Sequence, residues 1–307
     1  MSFPEAELAR GVELDGAGFL PRRGESAEQF FRRVETILGI HREFEAELAA
    51  AGEVGVYGLQ LRSQDRIPDE IIGEAEEVTD RLYSFRTRHV PGFFLSRDVG
   101  LLWGGCMICD PDHPLSVFLI RGAFRKRQRW LFYNRRELLA HELCHSMRQS
   151  LEEITLEEYF AYQTSPSRLR RYLGNCFIRE YDAIWFVIPA LLLLLAQVAQ
   201  SFWLPGLPVW PFWPVALAYP AFLLIRNGIS RRLVKRAAKK LAAFGVEKPS
   251  AVLFRLDRGE IRRIGAMERP GEFEQYAAER KESDFRWAIL YARFLTGNPP
   301  PEPEESH

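Results

Sequence analysis

Between Asp182 and Arg226 the chain carries no charged side chain. Leu, Phe, Val, Ala, Trp and Pro fill this stretch, although charged residues make up 27% of the whole sequence. A helix needs about 20 apolar residues to span the hydrocarbon core of a bilayer. Pro205, Gly206, Leu207 and Pro208 divide the stretch into two arms, 183–204 and 209–225, each close to that length. Trp203, Trp210 and Trp213 gather at the break, and such rings favour the membrane–water boundary. The pattern predicts a two-helix transmembrane hairpin over 183–225 with a very short loop. Pro211, Pro214 and Pro220 in the shorter second arm leave a re-entrant hairpin open as an alternative.

Orientation follows from the flanking basic residues. Arg168, Arg170, Arg171 and Arg179 precede the hairpin, and Arg226, Arg231, Arg232, Lys235, Arg236, Lys239 and Lys240 follow it. Short loops rich in Lys and Arg stay on the cytoplasmic side, so both flanks are expected there. This organisation divides the chain into a domain at 1–165, a basic juxtamembrane segment at 166–182, the hairpin at 183–225, a basic helix with a small helical cytoplasmic domain at 226–295, and a Pro- and Glu-rich disordered tail at 296–307. Within the basic run, Ile229, Leu233, Ala237, Leu241 and Phe244 recur at helical spacing. They suit a helix lying on anionic lipid, or a solvated continuation of the second membrane helix. The N-terminus has neither a basic nor an apolar leader region, so no cleavable signal peptide is expected. Four cysteines do not make a disulfide framework and fit a reducing compartment. The expected location is the bacterial inner (cytoplasmic) membrane, with the soluble part in the cytoplasm. Acidic and basic side chains balance at 41 each, so no overall field points to nucleic acid as a partner.

Residues 1–165 read as α+β. Apolar spacing predicts helices over 25–51 and 68–83. Runs rich in Phe, Leu, Val and Ile at 92–96, 100–109 and 115–121, separated by Gly and Pro, predict strands of a small sheet. Helical spacing returns over 133–149. Thr155 is expected to cap one more helix ending near 164. The stretch 252–294 is expected to be helical as well.

The helix at 133–149 contains His141-Glu142-Leu143-Cys144-His145, an H-E-x-x-H pattern. Positions i and i+4 share a helix face, so both imidazoles can reach one metal ion. Neutral imidazole suits Zn2+, which lowers the pKa of a coordinated water from about 15.7 to near 7. Glu142 is the expected catalytic base, accepting that water's proton as a carbonyl is attacked. Leu139, Leu143 and Met147 form a stripe that would face a core.

A third ligand is sought among the acids that follow. Glu158-Tyr159-Phe160-Ala161 has the E-x-x-A form, and with the H-E-x-x-H helix the region from Tyr133 to Gln163 resembles the gluzincin metallopeptidases. That resemblance implies a zincin-like domain, His141, His145 and Glu158 as zinc ligands, Glu142 as base, and a peptide or protein substrate. The resemblance reaches only the superfamily, and the separation between His145 and Glu158 is shorter than in many members. Glu157 is the substitute ligand, and Glu274 in Glu274-Gln275-Tyr276-Ala277 a distant one. Alternatively, Thr155 and Glu158 form a capping box. Tyr159, Tyr162 and His113 are candidate oxyanion donors. Residues 116–121 are a candidate edge strand for pairing with an extended substrate, with Gly104 and Gly105 allowing close backbone approach.

Weaker signals take plainer readings. Cys106 and Cys109 form a C-x-x-C without a second pair and read as buried apolar residues, as does Cys144. The basic segment 121–136, with Phe124, Trp130, Phe132 and Tyr133 interleaved, reads as a solvated loop or a contact for lipid headgroups. The leading expectation is a membrane-anchored zinc protease acting at the cytoplasmic face, on substrates that include membrane proteins. The alternative is a non-enzymatic membrane adaptor with a structural metal. An intramembrane protease is disfavoured, because Arg135, Arg136, Glu137 and Arg148 on the motif helix are costly in lipid.

Overall fold

The computed structural model describes residues 3–87, 89–95, 103–110 and 113–296, with side chains at all of them except 109, 110, 113, 114 and 180. The expected tail from 297 on, the ends of the strand runs at 96 and 100–102, and the side chains of Cys109 and His113 lie outside that description. The chain is a mixed α+β structure in which helices predominate.

Helix α1 (Glu5–Gly16) leads into α2 (Ala27–Ala51), whose start is set by a Ser26–Gln29 capping box. A small hairpin, β1 (Glu53–Val56) and β2 (Leu59–Arg62), follows, then α3 (Asp69–Tyr83). The principal sheet contains β3 (Gly92–Leu95), β4 (Gly105–Asp110) and β5 (His113–Arg121) in the order β3-β5-β4. β5 pairs in parallel with β3, Phe93 opposite Leu119, and antiparallel with β4, Met107 opposite Phe118. It is the central strand, so residues 116–121 are not the edge expected from the sequence; β4 is a free edge among the described residues. Alternation along β5 divides the sheet's two faces. Val117 and Leu119 pack with Phe44 and Leu48 of α2, and Phe118 and Ile120 pack toward α3 and the helix that bears the H-E-x-x-H motif.

A two-residue hairpin, β6 (Arg129–Trp130) and β7 (Tyr133–Asn134), precedes that helix, α4 (Arg135–Arg148). The Glu137 N–H donates to Asn134 Oδ1 at 3.2 Å, capping it. Leu139, Ala140, Leu143, Cys144 and Met147 are all buried. The helix therefore lies in a protein core, and its charged residues reach protein partners: Arg136 donates to the Glu74 carbonyl at 2.8 Å, and Arg148 lies over the Phe160 ring at 4.5 Å. Next come α5 (Glu157–Tyr162) and α6 (Arg168–Leu173).

Two helices here are long and apolar enough to cross a membrane: α7 (Glu180–Phe202) and α8 (Phe212–Ala243). Ile184, Trp185, Leu191, Leu195, Leu217 and Ile225 stand exposed on them, which a buried hairpin of a soluble core would not tolerate. The two charged residues that bound the uncharged stretch meet. Arg226 Nη2 donates to Asp182 Oδ2 at 2.6 Å, and Tyr219 Oη donates to Asp182 Oδ1 at 2.7 Å. Both ends of the stretch thus return to one level.

α8 runs on unbroken through the basic segment. Val234, Ala237 and Leu241 enter the same core as Leu143 and Phe160, joined by α9 (Pro249–Phe254), α10 (Arg258–Ala266), α11 (Pro270–Ser283) and α12 (Phe285–Phe294). The continuation of the second apolar helix, rather than a helix lying flat on lipid, is what forms. The core also runs across the division expected at 226. Its reason is the apolar face of the basic run, which finds α10 and α9 instead of lipid.

Candidate metal centre

α4 and α5 build the site. The loop between them is drawn tight by Glu153, whose carboxylate accepts the N–H groups of Thr155 (2.9 Å) and Leu156 (3.1 Å). Arg148, buried at the end of α4, stands 3.5 Å from the same carboxylate. Helix α5 therefore starts at Glu157 with Leu156 at its cap, and no side-chain cap bond forms. The Thr155–Glu158 capping box is absent, which frees the Glu158 carboxylate. Ala161, fully buried, adds no bulk between α5 and its neighbours.

The ligand atoms of His141, His145 and Glu158 all lie within 4.8 Å of one another. The two Nε2 atoms stand 3.0 Å apart. Glu158 lies 3.4 Å from His145 Nε2 and 3.6 Å from His141 Nε2. Two nitrogens each about 2.0–2.1 Å from one tetrahedral zinc would be roughly 3.3 Å apart. The three separations bracket that value, and two imidazoles with a carboxylate form a donor set that zinc accepts. Glu157 occupies another place: its Oε1 is 3.5 Å from His145 Nδ1, behind the ring. Among the described residues no fourth ligand joins the group.

Electrostatics of the unmetallated cluster fit two bases held too close to share two protons. Burial, reinforced by the charge of His145, lowers His141 to about 4. Burial also opposes the charge on His145, but hydrogen bonds to Glu157 and Glu158 outweigh it and hold His145 at about 10. Burial works against ionisation of Glu158 as well, yet the His145 hydrogen bond and both imidazoles keep its pKa below the ordinary value. His145 is therefore the charged ring, with N–H at both nitrogens, and a divalent cation at its Nε2 would displace one proton.

Glu142 points to the sheet side. Its Oε2 accepts the Met107 N–H of edge strand β4 at 3.2 Å, and burial raises its carboxyl above the ordinary range. Tyr162 sets its ring edge-on to His141, with centroids 4.6 Å apart. Tyr159 instead packs beneath Arg231, so of the two tyrosines only Tyr162 meets a histidine ring. The glycines at the start of β4 serve packing. A Cβ at Gly105 would stand 2.7 Å from the Leu119 carbonyl and 3.0 Å from Leu138, and one at Gly104 would meet the Tyr133 ring at 3.2 Å. Glu274 is exposed on α11, outside the ligand group. Cys106 is half-buried and packs with the residues between the sheet and α2.

Sequence reasoning missed the Met107 N–H, the Glu157 contact and an ion pair of Arg170 with Glu137 at 2.6 Å that ties α6 to the first turn of α4. Only Glu157 left a trace, as the acid beside Glu158. No family model, no curated protein and no solved structure matches the chain.

Proposed function

We propose that the chain is a membrane-anchored zinc metallopeptidase of the zincin type, its site on the cytoplasmic side of the bilayer. The observation that carries this reading is the convergence of His141 Nε2, His145 Nε2 and the Glu158 carboxylate, with Glu142 next to His141 in the chain and near enough to interact with the charges of His145 and Glu158. The three-donor set favours an open coordination position over the closed shell of a structural site, and hence an enzyme over an adaptor.

His141, His145 and Glu158 would hold the ion, and zinc when bound would supply Lewis acidity toward a water and a scissile carbonyl. The chain's own residues do the rest. Met107 N–H fixes one oxygen of Glu142 and leaves the other to take a proton and pass it to a leaving amine. Burial brings its pKa closer to neutral pH, where a general base works best. β4 has no strand on its outer side among the described residues, and the backbone groups there other than the Met107 N–H, which Glu142 takes, are suited to pair with an extended peptide backbone. Glu157 holds the far nitrogen of His145 and so orients the ring. The basic flanks of α7 and α8 support a cytoplasmic orientation.

The test uses the full chain purified in detergent. It is expected to bind one equivalent of zinc and to cleave a quenched fluorescent peptide library. Glu142→Gln is expected to keep the zinc and lose hydrolysis by about 10²–10⁴-fold. Undiminished cleavage by that variant would sink the proposal.

A further inference from the structure

The β6–β7 turn carries Leu131 and Phe132, exposed at 57% and 59%. Leu131 adopts φ +50°, a left-handed conformation that suits Gly or Asn. A strained position thus holds a large apolar side chain in the open. Lys126, Arg127 and Arg129 beside the turn are exposed, and residues 121–134 contain no acid. An apolar tip ringed by cations is complementary to the surface of an anionic bilayer.

The tip is also continuous with the apolar helices. Phe132 packs on Tyr133 at 4.6 Å, and Arg170 of α6 lies over the Tyr133 ring at 5.5 Å. From α6, Leu169 and Leu173 project exposed, and Phe177 meets Phe186 of α7 edge-on at 5.6 Å. Exposed apolar groups thus stand on the hairpin tip, on α6 and on α7, with the Tyr133–Arg170 contact joining the first two and the Phe177–Phe186 contact leading to the third. Through the Glu137–Arg170 pair α6 is fastened to the first turn of the helix that bears His141.

We propose that the β6–β7 tip and α6 form a lipid-contacting surface that seats the metal cleft against the anionic leaflet, with Leu131 and Phe132 at the level of the headgroup–acyl boundary. Substrates would then be segments emerging from the membrane rather than free cytoplasmic peptides. This rests on α7 and α8 spanning the bilayer.

The experiment incorporates p-benzoylphenylalanine in place of Phe132, of Leu192 on α7, or of Glu43 on α2, each in the full chain reconstituted into nanodiscs containing phosphatidylglycerol. After illumination, phospholipid adducts are expected at 132 and 192 and not at 43. Replacing Lys126, Arg127 and Arg129 together by Gln is expected to lower the adduct yield at 132 at least about fivefold, since the attraction of the tip to anionic headgroups is lost, and to leave 192 unchanged. Lipid at 192 without lipid at 132 would overturn the surface and spare the membrane spans. Lipid at neither position would remove the spans and the surface with them. Adducts to a second polypeptide at 132, or equal lipid labelling at 43, would also refute it.

Discussion

Two buried charge clusters in this molecule are built on opposite plans. Around Asp15, two guanidiniums close on one carboxylate: Arg255 Nε lies 2.8 Å from it, Arg293 reaches its other oxygen, and Arg255 also donates to the Tyr83 carbonyl at 2.8 Å. The cluster joins α1 and α12 to Arg255 at the end of α9, with the carboxylate enclosed between the two arginines. Around His141, the ligand atoms of three side chains face one shared place. Two imidazole nitrogens stand 3.0 Å apart, and the Glu158 carboxylate lies within 3.6 Å of both. Glue and site differ in where their atoms aim: the closed cluster directs its donors at a side chain of another helix, whereas the convergent one directs three ligand atoms at a place a single cation could occupy.

The largest expected effect breaks the closed cluster. Asp15→Ala leaves Arg255 buried without its carboxylate and is expected to cost about 3–5 kcal/mol of stability. Thermal and denaturant unfolding in detergent would register it, with zinc affinity of the remaining folded protein unchanged. A loss below about 1 kcal/mol would remove the distinction between the clusters.

The convergent cluster responds to pH instead. His145, held at about 10, must give up its proton to bind zinc, while His141 at about 4 is already neutral. Zinc affinity is therefore expected to rise about tenfold per pH unit, roughly a hundredfold from pH 7 to 9, with one proton released per ion. Competition with a chromophoric chelator across that range measures the slope; a flat profile contradicts the shared-proton account. Stability of the metal-free chain moves the other way. The folded pKa of His145 lies above its unfolded value of about 6.5, so its contribution is complete below pH 6.5 and is lost as pH rises toward 10.

Local chemistry made much of this legible in the sequence. Asp182 and Arg226 marked the ends of the apolar stretch, and they turn out to be each other's partners. The i, i+4 spacing of His141 and His145 was enough to place both rings on one face, and the small Ala161 marked a helix that packs closely. What escaped depended on contacts distant in the chain. That β5 is central follows from pairing with both β3 and β4, which alternation along β5 cannot reveal. Thr155 lost its role as a cap because Glu153, two residues earlier, took the N–H groups at the turn. The basic run after Arg226 entered the core because α9 and α10 cover its apolar face, and no residue within the run announces them.

The smallest effect separates the two adjacent acids of α5. Glu158 faces both Nε2 atoms, whereas Glu157 meets only Nδ1 of His145, the nitrogen turned away from His141. Replacing a ligand should remove most zinc binding, so Glu158→Gln is expected to leave a substoichiometric ion. Replacing an orienting partner should cost less, because the amide of Gln still accepts from Nδ1–H and only the charge is gone. Glu157→Gln is therefore expected to weaken zinc about tenfold, at the low end of effects for groups that hold a ligand in place. The same variant lowers the pKa of His145 in the metal-free chain, which partly offsets the loss at neutral pH and makes the deficit larger at pH 9. Histidine NMR titrations and chelator competition on both variants read the two quantities separately. Equal losses of zinc in the two variants would mean that the carboxylates share the ion, and the division of labour between Glu157 and Glu158 would fall.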